Sequence, residues 1–254
     1  MKVTLLQRRG RTSTTAFTTT LHNSLSKLKG NLSATVELAE LSPRGWAIVD
    51  IQGSDQEIFQ QLIKQTFPIA ISNFQTVEKH GVYGGQITRF NHDLEVDIGV
   101  EFPDQVNVIV RLSSLRAQLT EGKPISVKEI QDAYCLFPGC KVDVRITRIS
   151  HDEPILTAWL ADSQVDLFSD WIKSGLDRVM IFNCTSEQLD SAIRETRLER
   201  DIVAVESLTL TTHVVACKLG TDGAGLIPKL GGLLRKSEIK LFIPKRVLAL
   251  SRSW

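Results

Sequence analysis

Between positions 141 and 147, within a run that extends to Ile149, polar and apolar residues alternate strictly: Val142, Val144 and Ile146 are separated by Asp143, Arg145 and Thr147. This is the period of a strand with one buried and one wet face. Four more short runs rich in β-branched residues accompany it, at 80–90, 94–100, 105–112 and 154–160. The first of them holds Gly81, Gly84 and Gly85, and glycines inside a strand mark bulges or the sharp coiling of a small barrel. The five runs predict a five-stranded β-barrel over 73–161, with a helical insertion near 116–136.

On both sides the period changes between helix and strand. Residues 2–8 read as a strand, and 12–30 as a helix in which Phe17, Leu21, Leu25 and Leu28 recur every three or four positions, with Gly30 as its stop. Strands at 33–41 and 45–52 follow, joined by a turn at Ser42, Pro43 and Arg44. Ser54 and Glu57 have the spacing of a capping box before a helix with Ile58, Leu62 and Ile63 inward, and a short strand closes the unit at 69–71. The order strand, helix, strand, strand, helix, strand is the ferredoxin-like arrangement, expected over 1–72.

Beyond the barrel, 162–174 reads as a linking helix with Val165, Leu167, Phe168, Trp171 and Ile172 as its apolar stripe. The first pattern then returns. A strand at 178–183 precedes a capping box at Thr185 and Gln188 and a helix running to Arg200 with Leu189, Ile193 and Leu198 inward. Strands at 202–210 and 212–219, a helix to Leu234 and a strand at 237–243 complete it. Ile51 to Asp55 and Lys218 to Asp222 align as the same junction of each unit, a weak internal repeat. The expected fold is therefore α+β, a central OB-like barrel flanked by two ferredoxin-like units, the second over 162–254, with the two flanking sheets free to pair with each other.

Particular stretches of the barrel resemble the OB-fold barrels of the ribosomal-protein S-one type: Gly81-Val82-Tyr83-Gly84-Gly85-Gln86-Ile87, Val96-Asp97-Ile98-Gly99-Val100, Leu112-Ser113-Ser114-Leu115 and Phe137-Pro138-Gly139-Cys140-Lys141-Val142-Asp143-Val144. That resemblance implies binding of single-stranded RNA. Along nearly its full length the chain also resembles an uncharacterised archaeal protein family, through Arg200-Asp201-Ile202-Val203-Ala204-Val205-Glu206 and Cys217-Lys218-Leu219-Gly220-Thr221-Asp222-Gly223-Ala224-Gly225-Leu226-Ile227-Pro228-Lys229. This second resemblance implies an archaeal cytoplasmic protein linked to transcription or translation, and supplies no site residues.

Composition narrows the function classes. The 254 residues are 42% hydrophobic and 23% charged, ordinary for a globular chain and incompatible with wholesale disorder. No apolar run approaches the roughly 20 residues of a membrane span, and Arg8, Arg9 and Arg11 follow too soon after Met1 for a signal peptide, so a cytoplasmic location is expected. Cys135, Cys140, Cys184 and Cys217 form no Cys-x-x-Cys pair and the five histidines are scattered, which argues against a metal site. No cofactor motif stands out: the glycine-rich run from Gly220 to Gly225 lacks the lysine and hydroxyl of a P-loop and reads as a turn with Asp222 as helix cap.

Charge is segregated. Residues 1–30 hold six basic residues and no acid, and from Lys229 onward seven basic residues face only Glu238. Basic ends on an acidic body suit a polyanion or an acidic protein. The residues expected to neutralise phosphate are Arg89, Arg111, Arg145 and Arg148 on the barrel and Lys229, Arg235, Lys236, Lys245 and Arg246 in the C-terminal cluster, with Lys245 and Arg246 in a loop or tail. Tyr83 and Phe90 are either base-stacking or core residues, and Trp254 is either a docking residue or an exposed end. Arg194, Arg197 and Arg200 would share one face of their helix, alongside Glu195 and Glu199. The carboxylates Asp152 with Glu153 and Asp201 with Glu206 have no nucleophilic serine or histidine pattern beside them. The sequence thus points to a non-enzymatic factor binding RNA or a ribonucleoprotein, the alternatives being an adaptor on RNA polymerase or the ribosome and, third, an uncharacterised enzyme.

Overall fold

A computed structural model describes residues 1–150 and 152–252. The first unit runs β1 (Lys2–Arg8), α1 (Thr14–Lys29), β2 (Ala34–Leu41), β3 (Trp46–Gly53) and α2 (Gln56–Thr66). Its sheet has the antiparallel order β1-β3-β2, and Phe17, Leu21, Leu25, Phe59 and Ile63 from the two helices fill the space against Leu5, Val49 and Ile51. Ser13 caps α1, its Oγ accepting the Ala16 N–H at 3.2 Å.

Three expectations fail here. The capping box does not form, because α2 starts at Gln56 and the Asp55 carboxylate accepts the Ser33 N–H at 2.7 Å instead. The inward stripe accordingly contains Phe59 and Ile63, while Ile58 is 57% exposed. The short strand expected at 69–71 is reduced to one bridge between Ile69 and Leu5. The chain then continues into β4 (Ser72–Asn73), which joins the next sheet.

That next sheet contains β5 (Val82–Phe90), β6 (Leu94–Phe102), β7 (Val106–Val110), β8 (Lys141–Ser150) and β9 (Ile155–Leu160). It closes: β5 pairs with β6 and β8, β6 with β7, β7 with β9 in parallel, and β9 with β8. Val96, Val108, Val142, Val144, Ile146, Leu156 and Ala158 point inward, each fully buried. Gly85 is dictated by this closure, since a Cβ there would lie 2.7 Å from the Asp97 carbonyl oxygen on the neighbouring strand. The insertion between β7 and β8 is two helices, α3 (Leu112–Leu119) and α4 (Val127–Tyr134). A capping box of Ser126 and Glu129 starts α4.

α5 (Asp162–Ser174) leads to the second unit: β10 (Arg178–Phe182), α6 (Ser186–Glu195), β11 (Ile202–Thr209), β12 (Thr212–Cys217), α7 (Gly223–Leu233), β13 (Glu238–Phe242) and α8 (Pro244–Arg252). The sheet is antiparallel, in the order β11-β12-β10-β13. One face packs on α6 and α7 through Val179, Ile181 and Val215. The other turns Met180, Phe182, Val214 and Phe242 toward the barrel core, where Tyr134, Phe168, Trp171 and Phe242 form a chain of edge-to-face rings.

Because that face is already covered, the two flanking sheets do not pair with each other, contrary to expectation; they remain separate sheets. The units meet instead through Gln7, whose side-chain oxygen accepts the Leu210 N–H at 2.9 Å. Two helix expectations also change. α6 ends at Glu195 because Arg197 takes a left-handed conformation, so Arg194, Arg197 and Arg200 do not share a helical face. Lys245 and Arg246 lie in the first turn of α8, not in a loop, since Pro244 provides a helix start. Among the described residues no helix is long and apolar enough to cross a membrane.

Candidate nucleic-acid interface

Strand alternation sends every second barrel residue outward, and the register decides which of those become neighbours. Arg145 on β8 is paired with Trp159 on β9. On the other side of β9, the pairing of Ala158 with Val110 carries one residue further to set Trp159 beside Arg111, which is still extended as it enters α3. Trp159 is 52% exposed. An exposed indole thus has Arg145 of β8 on one side and, on the other, Arg111, the residue that follows β7.

The next row runs across four strand junctions. Arg89 is paired with Glu95, Glu95 with Ile109, Ile109 with Thr157 and Thr157 with Arg148. The four predicted barrel arginines therefore lie on one connected outer surface, spanning about 19 Å across the strands at the usual spacing. They are not equally free. Arg89 is ion-paired with Glu95 and Arg145 with the exposed Asp162. Among the described residues Arg111 and Arg148 make no ion pair, and both are exposed.

Part of the neighbouring surface is filled by the chain itself. On β6 the carboxylate of Asp97, fully buried, accepts from Arg44 Nε at 2.8 Å and from Arg8. Arg44 also reaches the Val100 carbonyl and Asn107, and Arg8 stacks over Trp46, its Cζ 3.9 Å from the ring centre. Burial pushes the Asp97 carboxyl up, opposed by the Gly99 N–H and the two guanidiniums. The first unit is thereby clamped over β6 and the start of β7, leaving the β7, β9 and β8 side uncovered.

The C-terminal cluster is distributed elsewhere. Lys229 is exposed on α7, and Lys245 and Arg246 are exposed at the start of α8. Arg235 and Lys236 line a 670 Å³ groove with Thr12, Ser13, Glu187 and Glu195. That groove lies on the α6 and α7 side of the second sheet, away from the face that packs on the barrel. Trp254 lies outside the described residues. Phe90 is core, and Tyr83 is half-buried with its hydroxyl accepting the Glu78 N–H at 2.9 Å. Asp222 caps α7 as expected, its carboxylate accepting the Ala224 N–H at 3.0 Å.

Trp159 is absent from the residues expected from sequence, although the signal was present: it alternates with buried Leu156, Ala158 and Leu160, the same argument that turned Arg145 outward.

Fold and site together define an α+β protein built around a closed five-stranded barrel whose open outer face is basic and centred on an indole. Its second α+β unit matches a known family: residues 176–242 are similar to the DUF2110 C-terminal domain. Among solved structures the chain is similar to the intact alpha subunit of aIF2 from Pyrococcus abyssi, at 11% identity and a TM-score of 0.26, over 66% of this chain and 98% of that one. It is also similar to a multidomain protein with nucleic acid binding domains from Streptococcus pneumoniae, at 14% identity and a TM-score of 0.22, over 79% of this chain and 54% of that one. Scores this low bear on neither fold nor function. No curated protein matches the chain.

Proposed function

We propose that this protein binds single-stranded RNA on the outer face of β7, β9 and β8. The observation that carries this reading is Trp159, half exposed and flanked across the sheet by Arg111 and Arg145. A base stacks on the indole, an interaction worth about 1–3 kcal/mol, and Arg111, Arg145 and Arg148 take the adjoining phosphates. Asp162 must yield Arg145 to a phosphate, which costs little because an exposed ion pair contributes about 0–1 kcal/mol.

The fold belongs to the same proposal. The barrel is read as OB-like because its strands close in the order first, second, third, fifth, fourth, with the third and fifth parallel and helices between the third and fourth. OB folds bind oligonucleotides on the face of their second and third strands. Here β6 and part of β7 are occupied by Arg8 and Arg44, which shifts the available surface toward β9. The flanking units are read as ferredoxin-like from the order β11-β12-β10-β13 and from β1-β3-β2 with its bridge at Ile69.

An adaptor role has one observation in its favour. β11 is an edge strand with Val203 60% and Val205 41% exposed, beside Arg194 and Glu199, the kind of edge that accepts another strand.

Fluorescence anisotropy with single-stranded RNA, duplex RNA and DNA at two salt concentrations separates these readings. Single-strand binding that falls about 5- to 150-fold in Trp159→Ala, and is largely retained in Trp159→Phe, supports the RNA reading. Absence of binding even at low salt overturns it and leaves the adaptor.

A further inference from the structure

Ser207 and His213 face each other across the hairpin of β11 and β12. Ser207 Oγ lies 2.9 Å from His213 Nδ1. On its far side the ring places Nε2 2.9 Å from the Cys184 carbonyl oxygen. A carbonyl can only accept, so Nε2 carries the ring hydrogen. Neutral imidazole then offers its lone pair at Nδ1, and the Ser207 hydroxyl is the donor. A serine, a base and a group that fixes the base's tautomer are thus in sequence, the arrangement by which an unreactive hydroxyl becomes a nucleophile.

The surroundings fit this use. His213 is 1% exposed, and burial pushes it below the ordinary histidine range, so it is a neutral base at pH 7. Asp190 and Glu187 act on it in the opposite sense, favouring the imidazolium once a proton arrives. Ser207 is exposed and opens into a 330 Å³ cleft where the three parts of the chain meet: Gln7, Thr20 and Pro68 come from the first unit, Lys141 from the barrel. Lys141 also lines that cleft; its ammonium lies 3.5 Å from Asp143 Oδ1 and would have to leave that half-exposed partner to meet a developing oxyanion.

We infer that Ser207 is an acyl-accepting nucleophile, with His213 as its general base, in a cleft that takes a small activated ester. Ser207 Oγ bonds to the ester carbonyl carbon while its proton passes to His213 Nδ1. The bond to the alkoxide breaks, the leaving oxygen takes the proton from Nδ1, and an alcohol departs from acyl-Ser207. Water then repeats the sequence: its oxygen attacks the acyl carbon, its proton goes to Nδ1 and on to Ser207 Oγ as that bond breaks, and the acid is released. Nothing is oxidised or reduced. The site lies on the second unit and is independent of RNA binding on the barrel.

The test is covalent labelling of the full chain with a fluorophosphonate, read by intact mass and peptide mapping, alongside the burst of nitrophenolate from p-nitrophenyl acetate. One adduct per chain on Ser207 is expected. It should be absent in Ser207→Ala and form about 100-fold or more slowly in His213→Gln, with thermal unfolding confirming that each variant is folded. Ser207→Ala keeps the buried bond from His213 to Cys184, so its fold does not depend on the outcome. No adduct on the folded wild-type chain, an adduct on another residue, or an undiminished burst in Ser207→Ala overturns the inference.

Discussion

Asp97 and His213 are both buried and ionisable, and both were invisible as such in the sequence. Asp97 falls at a position that alternation would leave wet, between Val96 and Ile98; only the return of Arg8 and Arg44 from another unit explains its burial. Substituting Asp97→Asn leaves two guanidiniums without their counter-charge, and removing one partner of a buried ion pair costs about 3–5 kcal/mol. Urea unfolding should show that loss, against under about 1 kcal/mol for removing the exposed Asp162 partner of Arg145. His213 gives a pH signature. Its folded-state pKa is lowered from 6.5 by burial, so below that value the unfolded chain binds a proton that the folded chain refuses. Stability is then full above about pH 6.5 and declines as pH falls toward the lowered folded value, by at most about 1.4 kcal/mol per unit. Denaturant unfolding at pH 7.5 and 5.5 should show this slope, and His213→Gln should remove its share. The serine and histidine are six positions apart on two strands, so a search for a linear nucleophilic motif passes over them; strand pairing alone makes them neighbours.

Elements were more legible than sites, because their signals are local. The strict alternation from Val142 to Ile146 locates β8, and the apolar stripe of 162–174 marks the helix that α5 forms. Start signals succeeded where no tertiary partner competed. Thr185 caps α6 with both bonds of the capping box in place, whereas at Ser54 the same pattern lost to Asp55 and its bond to Ser33. Thr185→Ala should therefore cost about 1 kcal/mol, and Ser54→Ala should lie within about 0.5 kcal/mol of wild type; paired thermal denaturation curves test the contrast. The pattern carries α6 on to Arg200 because nothing in the sequence announces Arg197 in a left-handed conformation, a state that glycine or asparagine would signal. Lys245 and Arg246 read as a loop or tail because they follow a proline, though a proline is equally a helix start, as it is for α8.

At the scale of the whole molecule the deciding fact is which surfaces the three parts leave uncovered, and no local pattern encodes that. The sequence grouped basic residues by position along the chain, barrel and C-terminus together. Folding separates them: the second sheet presents one face to the barrel core and the other to α6 and α7. Arg235 and Lys236 lie on the helix side, in the groove shared with Thr12 and Ser13, while Arg111, Arg145 and Arg148 surround Trp159 on the outer barrel. A single RNA strand lying along β7, β9 and β8 meets the second set and not the first. Each phosphate contact releases counterions, so the slope of log affinity against log salt falls by about 0.7 for every contact removed from a single strand. Arg111→Ala and Arg148→Ala should each lower the slope by about that amount, and together by about twice it. Arg235→Ala combined with Lys236→Ala should leave the slope unchanged. Anisotropy titrations across a salt series measure all four slopes. An equal reduction from the C-terminal pair would mean that the bound strand crosses the second sheet, and would require a longer path than the barrel face provides.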